Sequence, residues 1–406
     1  MSKSWKQRSL TAISVLVGLM ITGFVGLYVY IAATTRPMHP DPKAIPTTSD
    51  SAPSQEWADA VEQGRQIARA SVSEQNLPGL SVAVGVSGEI VWAEGFGWAD
   101  IDTQARVTPA TRFRAGEVSK ALTSAGVGLL LEKNKLNLDS YIQTYVPDFP
   151  EKQWPVTLRQ LMAQVAGFRD DAGDEAHLEP CAKTEEGLSL FADDSLLFEP
   201  GTKFKRSSYG WILVSAAVEA AAHEPFFEYM RTAIFEPLQM AATRPDAVKE
   251  QIANRATFYF PRFSGDTRYG PESTREGDHS CYAGGGAFLS TPSDLVRFGL
   301  AMNTGRLLQP ATVKLLQTPQ HLASGEETGY GLGWNLETVQ LRGEPARMAG
   351  HGSKNDFIGG TTYLMTFPER GIVVAATTNI SFADAKSIAL KIAEAFAHQE
   401  KTPATR

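Results

Sequence analysis

The chain opens with an uncharged, largely apolar run over residues 10–33, and three basic residues stand among the first eight. A helix needs about 20 such residues to cross the hydrocarbon core of a bilayer, whereas the apolar region of a cleaved signal peptide has about 7–15. Basic residues ahead of a span favour a cytoplasmic N-terminus. The pattern predicts a cytoplasmic segment over residues 1–9, a transmembrane signal anchor over 10–33, and export of the remainder. Cleavage near residues 31–33, where small residues occur, is the alternative.

The next segment, residues 34–55, is rich in Pro, Ser, Thr and Ala. This composition is typical of an extended, solvated linker. The sequence therefore predicts that a folded domain begins near residue 56, continues to about residue 400, and is held off the membrane by the linker.

Within the domain the apolar period alternates between that of helices and that of strands. A helix is predicted over Trp57–Glu74, and LSVAVGV and EIVWAEGFG alternate around Ser87 and Gly88 as the two arms of a β-hairpin. After residue 116 the period becomes helical and ends near Lys133.

Helical and loop patterns occupy residues 140–250, and strand patterns then return in GYGLGWNLE, GGTTYLMTFP and GIVVAATTN, before a final helix over about 384–398. Strands near both ends of the domain, with helices between them, indicate one discontinuous unit. The predicted fold class is α/β (α+β), an antiparallel sheet flanked by helices with an inserted all-helical region over about 140–250.

Composition and charge exclude some functions. The 406 residues carry a net charge of −7 with a pI near 5.6, which gives no reason to expect a nucleic-acid partner. His279 and Cys281 lie two residues apart, but an isolated pair is a poor indication of a metal site, and no cofactor is expected. Cys181 and Cys281 could pair in an oxidising compartment, or remain two buried thiols.

Candidate catalytic residues occur in GEVSKALTS, residues 116–124, at the start of the predicted helix. Positions three apart share a helix face, so Lys120 lies beside Glu117 and not beside Ser119. A Ser-x-x-Lys pair would let a lysine activate a serine for acyl transfer, but the chain contains no such pair. Its one Thr-x-x-Lys, Thr202 to Lys205, lies in a Pro-Gly turn.

Two further stretches place polar side chains beside turns. Arg206, Ser207 and Ser208 precede a helix predicted from about Tyr209, and the segment 351–353, His-Gly-Ser, precedes a predicted hairpin. These groups lie far apart in the sequence, so only a common fold would bring them together.

The order of several landmarks identifies a known family. LPGLSVAVGVSGEIVWAEGFGWAD is followed by VTPATRFRAGEVSK, VTLRQLMAQVAGF, FEPGTKF, GGGAFLSTPSDLVRFGLAMNTG, YGLGW and GHGS. From about residue 77 onward the chain resembles the serine β-lactamase and DD-peptidase (penicillin-binding protein) superfamily, in its class C and esterase-like branch. The resemblance implies that superfamily's fold, in which the serine and lysine of the first motif and the tyrosine of the second touch one another, although fold alone does not establish function.

At the family's catalytic positions the resemblance is incomplete. Glu117 replaces the serine of Ser-x-x-Lys, Lys120 is retained, and Arg206 replaces the tyrosine of the second motif, which here reads Arg206-Ser207-Ser208. The third motif, placed by the family on an edge strand, corresponds to His351, Gly352 and Ser353, and the supporting His-Thr-Ser-Gly stretch is QVAG at residues 164–167. Gly352 and Ser353 are candidate ligand-binding residues.

Three hypotheses follow. The protein is a binding module whose site holds a salt-bridged carboxylate, with a peptidoglycan or small acyl or peptide ligand; or an acid-base enzyme that uses Glu117 with Lys120 and Arg206 on an anionic group; or a remaining hydrolase that uses Ser119 or Ser208. His351 is expected in the pocket wall. The resemblance and the basic N-terminus imply a single-pass protein of a bacterial inner membrane, with its main domain in the periplasm.

Overall fold

The computed structural model describes residues 2–50, 52–170, 180–181, 183–247, 250–263, 265–274, 277–352 and 359–397. Its helices are α1 (Ser2–Thr34), α2 (Ala58–Glu74), α3 (Val118–Glu132), α4 (Leu158–Met162), α5 (Thr184–Leu188), α6 (Ser208–Ala222), α7 (Phe226–Met230), α8 (Pro292–Thr304), α9 (Pro310–Leu316) and α10 (Ala385–Ala397). Its strands are β1 (Thr47–Ser49), β2 (Gly79–Val86), β3 (Glu89–Asp100), β4 (Ala105–Arg106), β5 (Phe113–Arg114), β6 (Arg244–Pro245), β7 (Tyr259–Pro261), β8 (Pro271–Ser273), β9 (Phe288–Ser290), β10 (Asn335–Leu341), β11 (Glu344–Gly352), β12 (Thr361–Phe367) and β13 (Ile372–Thr378).

The main sheet joins the two ends of the domain. Its strand order is β1-β3-β2-β13-β12-β11-β10, and every pairing along it is antiparallel. The junction lies between β2 and β13, where Leu80 pairs with Thr378 and Val86 with Ile372. This arrangement confirms the predicted fold class and the discontinuous unit.

Helices cover both faces of the sheet. α2 and α10 contact one face, where Trp92 of β3 stacks on Phe396 of α10. α8 packs on β2, β12 and β13, and α3 packs on β11 and α6. Strands such as β12 and β13 are therefore buried along their whole length, which explains their continuous apolar sequence.

The helical insertion contains α4, α5, α6 and α7, with a π-helical segment following α7. Cys181, just before α5, is joined to Cys281 by a disulfide whose Cα atoms are 4.9 Å apart. Of the two possibilities that the sequence left open, the structure has the bonded pair.

Residues 34–55 differ from the solvated linker that composition predicts. Thr47–Ser49 form the edge strand β1 on β3, and Ile45 and His39 are buried. The backbone N–H of Met38 donates to the Asn76 side chain at 2.8 Å. The prediction is wrong here because alternating small and β-branched residues can pair with an open sheet edge, a possibility that Pro/Ser/Thr content does not register.

Two strand predictions are also corrected. The predicted strand GYGLGWNLE pairs in the sheet from Asn335 onward, whereas residues 330–334 form a turn. His351 lies within β11 and, as predicted, precedes a hairpin, which β12 and β13 form. However, β11 is an inner strand between β10 and β12, not an edge strand.

The N-terminal helix α1 contains an apolar stretch, Thr11–Thr34, with a mean hydropathy of 2.2 and no buried residues in its most apolar window. Among the described residues it is the one helix long and apolar enough to cross a membrane. It is a possible membrane anchor or signal sequence.

Candidate functional site

The site begins at the N-terminus of α3. Glu117 immediately precedes this helix, and Lys120 lies one turn further on, with its side chain fully buried. The Lys120 ammonium Nζ donates to Glu117 Oε1 at 2.8 Å. The predicted common face of these two side chains is confirmed.

A second cation reaches the same carboxylate from the insertion. Arg206, in the turn before α6, donates from Nη1 to Glu117 Oε2 at 2.7 Å and from Nη2 to the Asn335 side chain at 2.9 Å. The Arg206 side chain remains 39% exposed, whereas that of Glu117 is 11% exposed. One carboxylate is thus bound on both oxygens by cations from two different parts of the fold.

These charges determine the protonation state of Glu117. Burial alone would raise its pKa, but the cations of Lys120 and Arg206 outweigh that effect and lower the pKa to about 2. Glu117 is therefore a carboxylate at every physiological pH. Such a group has no proton to donate and is too weak a base to take one readily, since general acid-base catalysis is most efficient with a pKa near the working pH.

His351 forms the wall of the site beside this cluster. Its Nδ1 accepts from the Gly352 backbone N–H at 2.9 Å, and its Nε2 lies 2.7 Å from the Tyr330 hydroxyl. With Nδ1 occupied as an acceptor, a neutral ring carries its proton on Nε2 and donates it to Tyr330. Burial first, and then the nearby cations, lower the pKa of His351 to about 3. The ring is neutral and both of its nitrogens are engaged.

Gln164 positions the segment that carries Arg206. Its side-chain Oε1 accepts from the Ser207 backbone N–H at 2.8 Å, and its backbone carbonyl accepts from the Lys205 N–H at 2.9 Å. The sequence singled out this position as a departure from the family pattern, but not as a support for Arg206.

Close packing requires a glycine at position 352. Its φ is +147°, and a Cβ there would lie 2.3 Å from the Thr362 carbonyl oxygen. No side chain fits between β11 and β12 at this point. At Gly352 the pocket is therefore lined by backbone atoms and not by a side chain.

A pocket of about 330 Å³ opens beside Arg206. Asn335, Gly352, Thr361 and Tyr363 line it from the sheet, and the first turn of α10 lines it from the other side. On that side the Lys386 ammonium lies 5.8 Å from the centre of the Tyr363 ring, and it binds both Glu337 carboxylate oxygens at 2.6 Å. The ion-paired cluster leaves room for a small ligand next to it.

The predicted hydroxyl candidates are placed differently. Ser119 is fully buried and its hydroxyl has no partner among the described residues. Ser208 begins α6, and its backbone N–H donates to Asp170 at 2.7 Å. Ser353 lies outside the described residues. Because Cys281 is in the disulfide, it offers no thiolate to a metal beside His279.

Sequence reasoning missed Tyr330 and Asn335. Both belong to the YGLGWN stretch, which was used only as a landmark. Tyr330 is 1% exposed, and Asn335 is the first residue of β10. Two polar side chains within a segment predicted as an apolar strand were the available signal.

Acid should destabilise this site in two steps. His351 is neutral in the folded protein but gains a proton in the unfolded chain below pH 6.5. Its contribution to the free energy of unfolding is therefore lost as the pH falls from 6.5 toward 3. Glu117 contributes fully above pH 4.5, and that contribution is lost as the pH falls toward 2. We expect His351→Gln to reduce the slope of the stability profile between pH 6.5 and 4.5 and to leave the lower step. Part of the upper slope remains, because burial also lowers the pKa of His39. Chemical denaturation at each pH measures both, and an unchanged upper step would contradict the burial of neutral His351.

Comparison with known proteins agrees with this architecture. The family model described as Beta-lactamase matches residues 58–397. The mitochondrial serine beta-lactamase-like protein LACTB of Bos taurus is 28% identical, over 84% of this chain and 80% of that protein. Penicillin-binding protein 4* of Bacillus subtilis is 26% identical, over 65% of this chain and 60% of its own length.

A solved structure extends the likeness to three dimensions. The D-amino acid amidase from Ochrobactrum anthropi SV3 superposes with a TM-score of 0.71 at 22% identity, covering 84% of this chain and all of the amidase. At this identity the match supports the fold alone. Because the family model spans most of the chain and the fold agrees with it, the chain belongs to the β-lactamase family.

Proposed function

We propose that this chain is a membrane-anchored, periplasm-facing member of the β-lactamase family that binds a small cell-wall or acyl ligand without forming an acyl-enzyme. In this proposal Glu117 occupies the position of the family's nucleophilic serine, and Arg206 that of its second-motif tyrosine. The protein is then a pseudoenzyme with a retained pocket.

One observation carries the proposal: both oxygens of Glu117 are bound by cations, Lys120 at 2.8 Å and Arg206 at 2.7 Å. A lysine that is paired with a carboxylate cannot act as the base for a serine. Glu117 itself has no hydroxyl, and attack by its carboxylate would give a reactive anhydride. Loss of the nucleophile from a concerted serine site lowers turnover by about 10⁶-fold.

The acid-base hypothesis is less well supported. General catalysis at neutral pH needs a group that changes its protonation state there. Glu117 has a pKa of about 2 and His351 of about 3, so both remain in one state. Because neither group changes its protonation state near neutral pH, the site is better suited to binding than to proton transfer.

The pocket supports a ligand with an anionic group. Arg206 and Lys386 line it together with the carboxylates of Glu337 and Asp384, and Tyr363 offers an aromatic face. Arg206, whose side chain is 39% exposed, is the cation that an incoming carboxylate would reach. Peptidoglycan fragments carry free carboxylates and acyl-linked amino acids, so they combine the features that this wall would recognise.

The periplasmic orientation rests on two features. Basic residues precede the apolar helix, which favours a cytoplasmic N-terminus. The Cys181–Cys281 disulfide fits an oxidising compartment. The mitochondrial location in the name of a relative belongs to that protein.

The test combines covalent and non-covalent measurements on the full chain in detergent. We expect no labelling by a fluorescent penicillin or a fluorophosphonate, and no product from acyl esters or muropeptides, together with saturable binding of muropeptides by calorimetry. Covalent labelling of the wild-type chain would overturn the loss of acylation. Absence of muropeptide binding would overturn the proposed ligand class.

A pair of lysines on α10 provides the control. Lys386→Ala removes a cation from the pocket wall and leaves Glu337 unpaired, so binding of a carboxylate should weaken about tenfold, the equivalent of one charge-assisted hydrogen bond. Lys391→Ala, at an exposed position outside the pocket, should leave binding unchanged.

A further inference from the structure

A polar and aromatic hairpin lies against the last turns of α1. The hairpin pairs β7 with β8, and its connecting segment carries Arg262, Phe263, Arg268 and Tyr269. Arg262 donates to the Thr34 side chain at 2.9 Å and to the Thr34 carbonyl at 3.3 Å. The domain is thereby fixed to the C-terminal end of the apolar helix.

The chain between α1 and the domain is also held. Ser73 donates to the His39 carbonyl at 2.8 Å, and Asn76 accepts from the Met38 N–H at 2.8 Å. Because β1 follows on the sheet edge, few residues remain between the helix and the domain that could act as a flexible spacer. The domain must therefore sit close to whatever surface α1 enters.

The hairpin reaches back along the apolar helix. A cleft of about 510 Å³ separates them, lined by Leu27, Tyr30 and Ile31 of α1 and by Arg262 and Phe263 of the hairpin. At 1.5 Å per residue, Leu27 lies about 10 Å before the end of α1. If α1 spans a bilayer, Phe263 lies at the depth of its last two turns.

The chemistry of the hairpin matches that depth. The rings of Phe263 and Tyr269 meet edge to face at 5.6 Å, and aromatic side chains favour the membrane interface. The Arg268 side chain is 74% exposed and pairs with Asp266, while Glu272 adds a second carboxylate. Arg262 and Arg268 suit lipid phosphates, which bind guanidinium groups strongly.

We propose that the β7–β8 hairpin is a second membrane contact, which inserts Phe263 into the headgroup region of the bilayer spanned by α1 and fixes the orientation of the domain. The pocket beside Arg206 would then be held at a constant height above the membrane. This inference rests on the membrane span in the proposed function.

Spin labels on the full chain in vesicles test the contact. Phe263→Cys and the exposed Arg268→Cys report the hairpin. Glu89→Cys is the matched control because it begins β3, whose other end adjoins the hairpin where the Ile101 N–H donates to the Tyr259 hydroxyl. At about 3.3 Å per residue the two ends of β3 are about 36 Å apart. We expect the label at 263 to lie within about 5–10 Å of the headgroup boundary, the label at 268 among the headgroups, and the label at 89 in water.

Two arms separate the sources of failure. Val17→Cys reports the span itself, so a lipid-buried label at 17 with water-exposed labels at 263 and 268 overturns the hairpin contact alone. Vesicles of zwitterionic lipid and of mixed anionic lipid distinguish the aromatic from the basic contribution. Retention of the depth at 268, in the variant that keeps Phe263 and Tyr269, in both kinds of vesicle supports aromatic insertion. Equal water accessibility at 263, 268 and 89 in both rejects the proposal.

Discussion

The double variant Glu117→Ser with Arg206→Tyr should become labelled by a fluorescent penicillin or a fluorophosphonate, whereas the wild-type chain should not. In the wild-type chain the Glu117 carboxylate lies 2.8 Å from Lys120 Nζ. The double variant removes this carboxylate and places a serine hydroxyl at the same position. It also replaces the Arg206 cation with a phenol. A lysine released from its ion pair and placed beside a serine is the arrangement that acyl transfer requires.

We expect the labelling rate to rise by at least about 10³-fold over the wild-type background, a partial return of the roughly 10⁶-fold that a serine nucleophile supplies. Gel fluorescence and intact mass measure the adduct. Glu117→Ser alone should label more slowly, because Arg206 would remain beside Lys120 without the carboxylate that neutralises both. Glu117→Ala with Arg206→Tyr is the matched control without a nucleophile, and labelling of that control would place the reaction at another residue.

The fold was predictable because its signals are local and repeated. The β2–β3 hairpin follows from two alternating runs around a turn, and α3 from a helical period that ends at Lys133. The insertion could be recognised from turn residues and its lack of alternation. Each of these elements depends on the side chains within about fifteen residues.

The site was predictable only in part. The contact of Glu117 with Lys120 follows from helix geometry, since the two are three residues apart. The contact of Glu117 with Arg206, which spans 89 residues, came from the family resemblance and not from spacing. Asn335 and Tyr330 were missed because their roles depend on how β10 and β11 meet α3, and no local pattern records that packing.

The prediction of a solvated linker over residues 34–55 was wrong for a related reason. A segment rich in Pro, Ser and Thr has no apolar period of its own, so its structure depends on what the domain offers. Here the open edge of β3 pairs with Thr47–Ser49, and Asn76 binds the Met38 backbone. Composition predicted the isolated segment, while the sheet edge decided its conformation.

Removing the central carboxylate should strongly destabilise the fold. Glu117→Ala leaves the fully buried Lys120 ammonium without its 2.8 Å partner, and an uncompensated buried charge lowers stability by about 3–5 kcal/mol. Arg206→Ala should have a smaller effect, about 1–2 kcal/mol, because the Arg206 side chain is 39% exposed and water can replace part of its contact. Denaturant unfolding of the domain, followed by tryptophan fluorescence at pH 7, measures both.

The control distinguishes a lost ion pair from lost packing. Glu117→Gln with Lys120→Met removes both charges and keeps similar side-chain volumes, so it should recover most of the stability that Glu117→Ala loses. A double-mutant cycle through the two single changes then gives the coupling energy of the pair, for which contacting groups show about 0.5–3 kcal/mol. The free energy of unfolding of Glu117→Ala could instead lie within about 1 kcal/mol of the wild-type value. In that case the Lys120 ammonium has another acceptor, and its pairing with Glu117 does not explain the glutamate at this position.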